Sequence, residues 1–233
     1  MKIREFSSPQ QVAESFANDL GNWIKDASDN FNIALSGGST PKILFQNWAQ
    51  NSNSSDWQNV HFFWGDERCV APDDAESNFG VTNEQFFKPV GIPQSNIHRV
   101  LGESDPETEA TRYSKLIESH VAIENDLPQF DVVLLGMGTD GHTASIFPDQ
   151  MQLMDDDRIC AVATHPDNGQ KRVTLTGNPI ANAKRIVFLL TGESKKEKFA
   201  AVSNSSDESR QWPASRFMHQ ENTIVYLDQS VVD

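Results

Sequence analysis

Asp140 and His142 stand two residues apart in the stretch DVVLLGMGTDGHTASIFP, Asp131 to Pro148, directly behind a run of apolar residues. Glycines on either side let the backbone turn sharply and approach a ligand, while the two polar side chains project from the end of the strand. Histidine titrates near neutral pH, so His142 can take a proton from water. Gly136, Gly138 and Gly141 also spell G-x-G-x-x-G, the pattern of a dinucleotide-binding turn. That pattern requires an acidic residue about 20 positions on, at the end of the next strand. Here the next strand-like run is ICAVATHPD, its first following acid is Asp167, and Asp140 would set a negative charge against a bound pyrophosphate. Hydrolytic chemistry fits better. An isolated D-G-H is also compatible with a histidine that caps a helix over TASIF while Asp140 bonds its own loop.

A second segment, LSGGSTP, sets Gly37, Gly38, Ser39 and Thr40 behind a strand and ahead of Pro41. Backbone N–H groups and the positive end of a helix converge there, which suits a phosphate monoester. It is not a Walker A loop, because G-x-x-x-x-G-K-[ST] is absent. A third strand end, WGDERCV, carries Asp66, Glu67 and Arg68. An arginine between carboxylates is commonly an ion-pair partner, and at a strand end it can also face an anionic or developing oxyanion oxygen. Arg172 in KRVTLT and Lys195 in TGESKK add two cations able to complete a phosphate pocket. The acidic stretch Asp155 to Asp157 reads as a solvated turn, with capture of a divalent cation as the alternative.

These loops need a frame. Ser8 as cap, Pro9 in the first turn and Gln11 as capping-box partner open a helix along which Val12, Phe16, Leu20 and Trp23 fall at helical spacing. FNIALSGG is a buried strand, and TPKILFQNWA restarts a helix with Thr40 as its cap. VHFFWG, DVVLLG, KRVTLT, RIVFLLTG and NTIVYLD read as strands, with helices over DPETEATRYSKLIESHVAIE, whose Tyr113, Leu116, Ile117 and His120 share one side, and over ESKKEKFAAV. Alternating strands and helices, with apolar central strands, indicate an α/β fold: a mostly parallel sheet with helices on both faces, in one domain spanning residues 1–233. Function is then expected at the strands' C-terminal ends. Gln50 to Asp56 and Ser203 to Ser209 read as surface loops.

Composition narrows the partners. Lys and Arg total 19 against 33 Asp and Glu, a net charge of −14, which argues against an extended nucleic-acid or anionic-membrane surface. Cys69 and Cys160 are too few for a disulfide framework, and no cysteine/histidine cluster offers a structural zinc site. The first residues lack the apolar core of a signal peptide, and no stretch approaches 18 uninterrupted apolar residues. The expected setting is the cytoplasm.

In this order and spacing, LSGGSTP, FFWGDERCVAPDDAESNFG, LLGMGTDGHTASIFP and FLLTGESKKE resemble the 6-phosphogluconolactonases of the short, glucosamine-6-phosphate isomerase-like type. The resemblance runs from the first helix to the last strand. It implies a modified Rossmann-like fold and hydrolysis of 6-phospho-D-glucono-1,5-lactone to 6-phosphogluconate in the oxidative pentose phosphate pathway, without metal or cofactor. It further implies His142 as the base that activates water, Asp140 as the group that orders the site, and Arg68 at the lactone end. Gly37, Gly38, Ser39 and Thr40 match the sugar-phosphate loop, Lys195 the phosphate-binding lysine, and Arg172 a substrate-binding arginine. Asp149 replaces a glycine common in the family, at a loop edge. The related deaminases carry a glutamate five residues after the histidine, where this chain has Phe147. A sugar-phosphate isomerase or deaminase is therefore the second reading, and a non-catalytic sugar-phosphate sensor the third.

Overall fold

The computed structural model describes residues 1–204 and 207–232. The chain opens with β1 (Lys2–Phe6) and α1 (Pro9–Lys25), then β2 (Phe31–Leu35), α2 (Ser39–Asn51), β3 (Val60–Trp64) and β4 (Asp66–Arg68). A helical stretch follows: α3 (Asn78–Thr82), a wider π turn over Asn83–Phe87, and α4 (Lys88–Val90). Next come α5 (Pro106–His120), a hairpin of β5 (Ile123–Glu124) and β6 (Leu127–Pro128), and β7 (Val132–Leu135). The last part holds β8 (Cys160–Thr164), β9 (Lys171–Leu175), α6 (Gly177–Ala181), β10 (Ile186–Leu190), α7 (Lys196–Ser203), α8 (Pro213–Met218) and β11 (Thr223–Asp228).

Six strands form one sheet in the order β1-β11-β10-β7-β2-β3, and every pairing in it is parallel. Apolar residues on both faces of the central strands make this possible. Ile33, Leu35, Val132 and Leu134 pack under α1 and α2, against Phe16, Leu44 and Trp48. The alternate residues Ala34, Val133 and Leu135 pack on the other side, against Tyr113 and Ile117 of α5 and Phe217 of α8. Each fully buried Val, Leu, Ile or Phe among these contributes about 1.5–3 kcal/mol. From β2 the chain moves outward to β3, and from β7 it moves the opposite way to β10. The β2/β7 boundary is thus the point at which winding reverses, and a crevice opens there above the strand ends.

Several local expectations change. KRVTLT is not in the parallel sheet: β9 lies between β4 and β8 in a separate antiparallel sheet, in which Arg172 stands directly opposite Arg68. Strand β1, polar and largely exposed, carries no alternating pattern and is recruited by pairing with β11. The helix over residues 105–124 stops at His120, where Ile123 and Glu124 turn into the hairpin. Ser8 does cap α1, while the Gln11 side chain accepts from the N–H of Ser7. Residues 203–209 are not simply a surface loop: Ser203 ends α7, Ser209 is buried, and Ser205 and Ser206 lie outside the described residues. No helix among the described residues is long and apolar enough to cross a membrane.

Candidate active site

The loop after β7 is shaped by its glycines. Gly141 takes a left-handed φ of +88°, and a Cβ there would stand 2.7 Å from the ring of Trp212, which backs the loop. A Cβ on Gly138 would stand 2.2 Å from His142 Nδ1, so the histidine lies directly on that backbone. His142 Nδ1–H donates to Asp140 Oδ1 at 2.6 Å, and the His142 N–H donates to the same oxygen at 3.1 Å. Burial pushes the Asp140 carboxyl up, but the hydrogen bond and charge of His142 outweigh it, and the net is a fall to about 2. An ionised carboxylate only accepts, so in the neutral ring the proton sits on Nδ1 and Nε2 carries the lone pair.

No helix forms over TASIF. Thr143 Oγ1 donates to the carbonyl of Gly136 at 2.7 Å, Thr143 pairs with Ile146, and Ala144 takes a left-handed φ of 47°. TASIF is therefore a tight turn closed on its own strand. A left-handed alanine costs roughly 1–2 kcal/mol, and strain of this kind gathers around functional loops.

The loop after β2 is also not built as its spacing predicts. α2 starts at Ser39 with Gly38, φ +111°, as its cap residue. Thr40 lies inside the first turn, and its hydroxyl meets that of Thr191, at the end of β10, at 2.7 Å. Asn78 fills the space a side chain on Gly37 would need: a Cβ there would stand 1.9 Å from Asn78 Oδ1. Asn78 is held by its Nδ2–H donating to the Asp66 carbonyl, and by Glu67, whose carboxylate accepts the N–H groups of Asn78 and Phe79 at the start of α3. Burial pushes the Glu67 carboxyl up, partly offset by those backbone donors.

Gly37, Gly38, Ser39, Thr40, Arg68, His142, Arg172 and Lys195 all line one cavity of about 200 Å³. Asp140 stands behind it through His142. Arg68 Nη1 donates to the carbonyl of Glu76 at 2.6 Å. Arg172, 8 % exposed, has Nη1 3.9 Å from Asp66 Oδ2 and 3.4 Å from Ser145 Oγ, while Ser145 donates to Asp66 at 2.6 Å. Burial, opposed by Asp66 and reinforced by Arg68, draws the Arg172 guanidinium below its ordinary value. Nε of each arginine is buried with no hydrogen-bond partner among the described residues. Burial also lowers the Lys195 ammonium, with Asp140 acting the other way. Three cations, the hydroxyl side chains of Ser39 and Thr40 and a helix start thus line the same cavity as an imidazole held by a carboxylate. The acidic stretch is engaged elsewhere: Asp155 pairs with Arg216 and Asp156 with Arg158.

Ser36, Asp66, Asn78 and Thr191 also line the cavity. Ser36 and Thr191 directly follow buried strands, where the rule that ligands sit at strand ends points to them. Asn78 carries no such signal, since its place depends on Gly37 and Asp66.

A crevice at a winding reversal, rich in cations and holding a histidine–carboxylate pair, defines an α/β protein equipped for acid/base chemistry on a small anion. The family described as glucosamine-6-phosphate isomerases/6-phosphogluconolactonase matches residues 7–226, and the chain belongs to it. A 6-phosphogluconolactonase of Haemophilus influenzae is 42% identical over 100% of this chain and 99% of its own. One from Treponema pallidum is 47% identical over 76% of this chain and 74% of its own. The solved 6-phosphogluconolactonase of Trypanosoma cruzi superposes with a TM-score of 0.87 at 29% identity, covering 99% of this chain and 95% of that one.

Proposed function

We propose that this chain hydrolyses 6-phospho-D-glucono-1,5-lactone to 6-phosphogluconate in the pentose phosphate pathway, with water activated by His142 and no metal. The observation that carries the reading is the 2.6 Å bond from His142 Nδ1 to Asp140, which leaves Nε2 as the proton acceptor in a cavity lined by Arg68, Arg172 and Lys195. Water loses its proton to Nε2 as it attacks the lactone carbonyl. Asp140 steadies the imidazolium that forms, and an arginine stabilises the oxyanion of the tetrahedral intermediate. The intermediate collapses as the imidazolium returns the proton to the departing ring oxygen. At the other end, Gly37 to Thr40 and Lys195 hold the phosphate, whose binding positions the carbonyl. The expected ligand is a sugar-phosphate lactone and the expected setting the cytoplasm, in keeping with Cys69 and Cys160, both unpaired.

The test is a coupled lactone-hydrolysis assay with the spontaneous rate subtracted, run before and after prolonged chelation. Turnover well above background, unchanged by chelation, is expected. Background-level hydrolysis together with ammonia release from glucosamine 6-phosphate would replace the lactonase by a deaminase. A loss on chelation that one divalent ion restores would overturn the metal-free step.

A further inference from the structure

Phe147 is fully buried and is not itself a wall of the cavity, yet its ring meets two groups that are. Its centroid lies 4.8 Å from that of the His142 imidazole, at an interplanar angle of 51°. The Arg172 guanidinium carbon sits over the same ring, 5.6 Å from its centroid. A third neighbour, His165, meets it edge-on at 5.2 Å.

Each of the two functional groups is held by polar contacts that leave a degree of freedom. The Asp140 bond fixes His142 Nδ1 but permits the ring to pivot about that contact; the Gly138 backbone blocks one direction. Arg172 leans on Asp66 and Ser145 at 3.9 and 3.4 Å, long contacts for a guanidinium, and its Nε has no hydrogen-bond partner among the described residues. A rigid aromatic face against both supplies what those contacts lack: it limits the imidazole's pivot and attracts the cation to its π surface.

We propose that Phe147 is a positioning residue shared by His142 and Arg172, holding the proton acceptor and the substrate-binding cation in fixed relation to one another. This rests on the lactonase reading for its kinetic consequence and on geometry alone for its physical one. A displaced base lowers kcat, and a displaced arginine raises KM, so loss of the ring affects both parameters. A side chain that merely filled the core would affect only stability.

The test compares Phe147→Leu with Phe130→Leu, an equally buried phenylalanine packed against Phe63. Both variants lose similar packing and should melt at lower temperature. Phe147→Leu should lower kcat about 10-fold and raise KM about 3-fold, while Phe130→Leu keeps both within about twofold. A readout independent of turnover is the crystal structure of each variant. The His142 ring and the Arg172 guanidinium should be displaced in Phe147→Leu and keep their places in Phe130→Leu. Undisplaced groups in the Phe147→Leu structure, or equal kinetic effects of the two variants, would overturn the inference. Background-level turnover of the unmodified protein would overturn the lactonase reading, and the two structures would still decide the role of Phe147.

Discussion

His142 and His98 each lie against a phenylalanine ring, at nearly the same separation, and their surroundings give them opposite capacities. His142 is 4.8 Å from Phe147, and His98 is stacked 4.5 Å from Phe63. His142 hands its Nδ1–H to a carboxylate and faces the cavity. His98 is 7 % exposed, and its Nε2 meets Nδ1 of His61, near the start of β3, at 2.8 Å. The ring of His120, at the end of α5, is 4.3 Å away. Burial first, then His120 and His61, push His98 down to about 4; His61 is lowered in the same direction by burial and by His120. An imidazole that hands its Nδ1–H to a carboxylate presents its other nitrogen to the cavity, whereas one buried among imidazoles is held neutral. The surroundings, not the residue type, decide which histidine can do chemistry.

The largest expected difference between the two regions is kinetic. His142→Asn should lower kcat about 10² or more with KM within a few-fold, since it removes the acceptor used in the transition state. His98→Asn should leave both parameters within about twofold. Steady-state lactone hydrolysis by the two variants checks this, and equal losses would dissolve the distinction.

A smaller loss is expected when the carboxylate alone is removed. Asp140→Asn keeps the shape but withdraws the charge that steadies the imidazolium, and kcat should fall on the order of 10-fold to 10²-fold. Because His142 holds Asp140 down to about 2, its stabilising contribution is present above the ordinary carboxylate range and is lost only as pH falls toward about 2. The wild-type pH–rate profile between 4 and 7 should therefore show no protonation of Asp140. A break that disappears in Asp140→Asn would contradict this.

The smallest effect belongs to the other cluster and appears in stability. His98 has a folded pKa below that of the unfolded chain, so as pH falls from about 6.5 to about 4 the unfolded state takes up a proton that the folded state refuses. Folding stability falls across that window and levels once the folded state is protonated too. Thermal unfolding at pH 7 and 4.5 should show a drop that is smaller by about 2–4 °C in His98→Asn than in wild type. An unchanged drop would assign the acid sensitivity to other groups.

How far each loop could be read from the chain follows the range of its contacts. Gly37, Gly38, Arg68 and His142 stand out because glycines and polar groups directly follow buried strands, a local pattern. Thr40 does not cap α2, because its hydroxyl is taken by Thr191, 151 residues away. TASIF could have continued as a helix capped by His142, but Thr143 closes back on Gly136 and the turn is stabilised by the strand it leaves. The antiparallel placement of β9 depends on pairing with β4, more than 100 residues earlier, and nothing near Arg172 in the chain announces Arg68 across from it.

By itself the sequence determined the alternation of buried strands and amphipathic helices, the parallel sheet with both faces covered, and the types of group at the strand ends. These depend on hydrophobic spacing and on the conformational limits of glycine and proline, which act within a few residues. Only the tertiary structure decided that Ser145 and Asp66 meet beneath Arg172, that Asn78 occupies the space beside Gly37, and that Phe147 touches both the imidazole and the guanidinium. Apart from the short step from His142 to Phe147, those contacts join residues far apart in the chain, and they exist only once the packing of the whole sheet has fixed where each loop emerges.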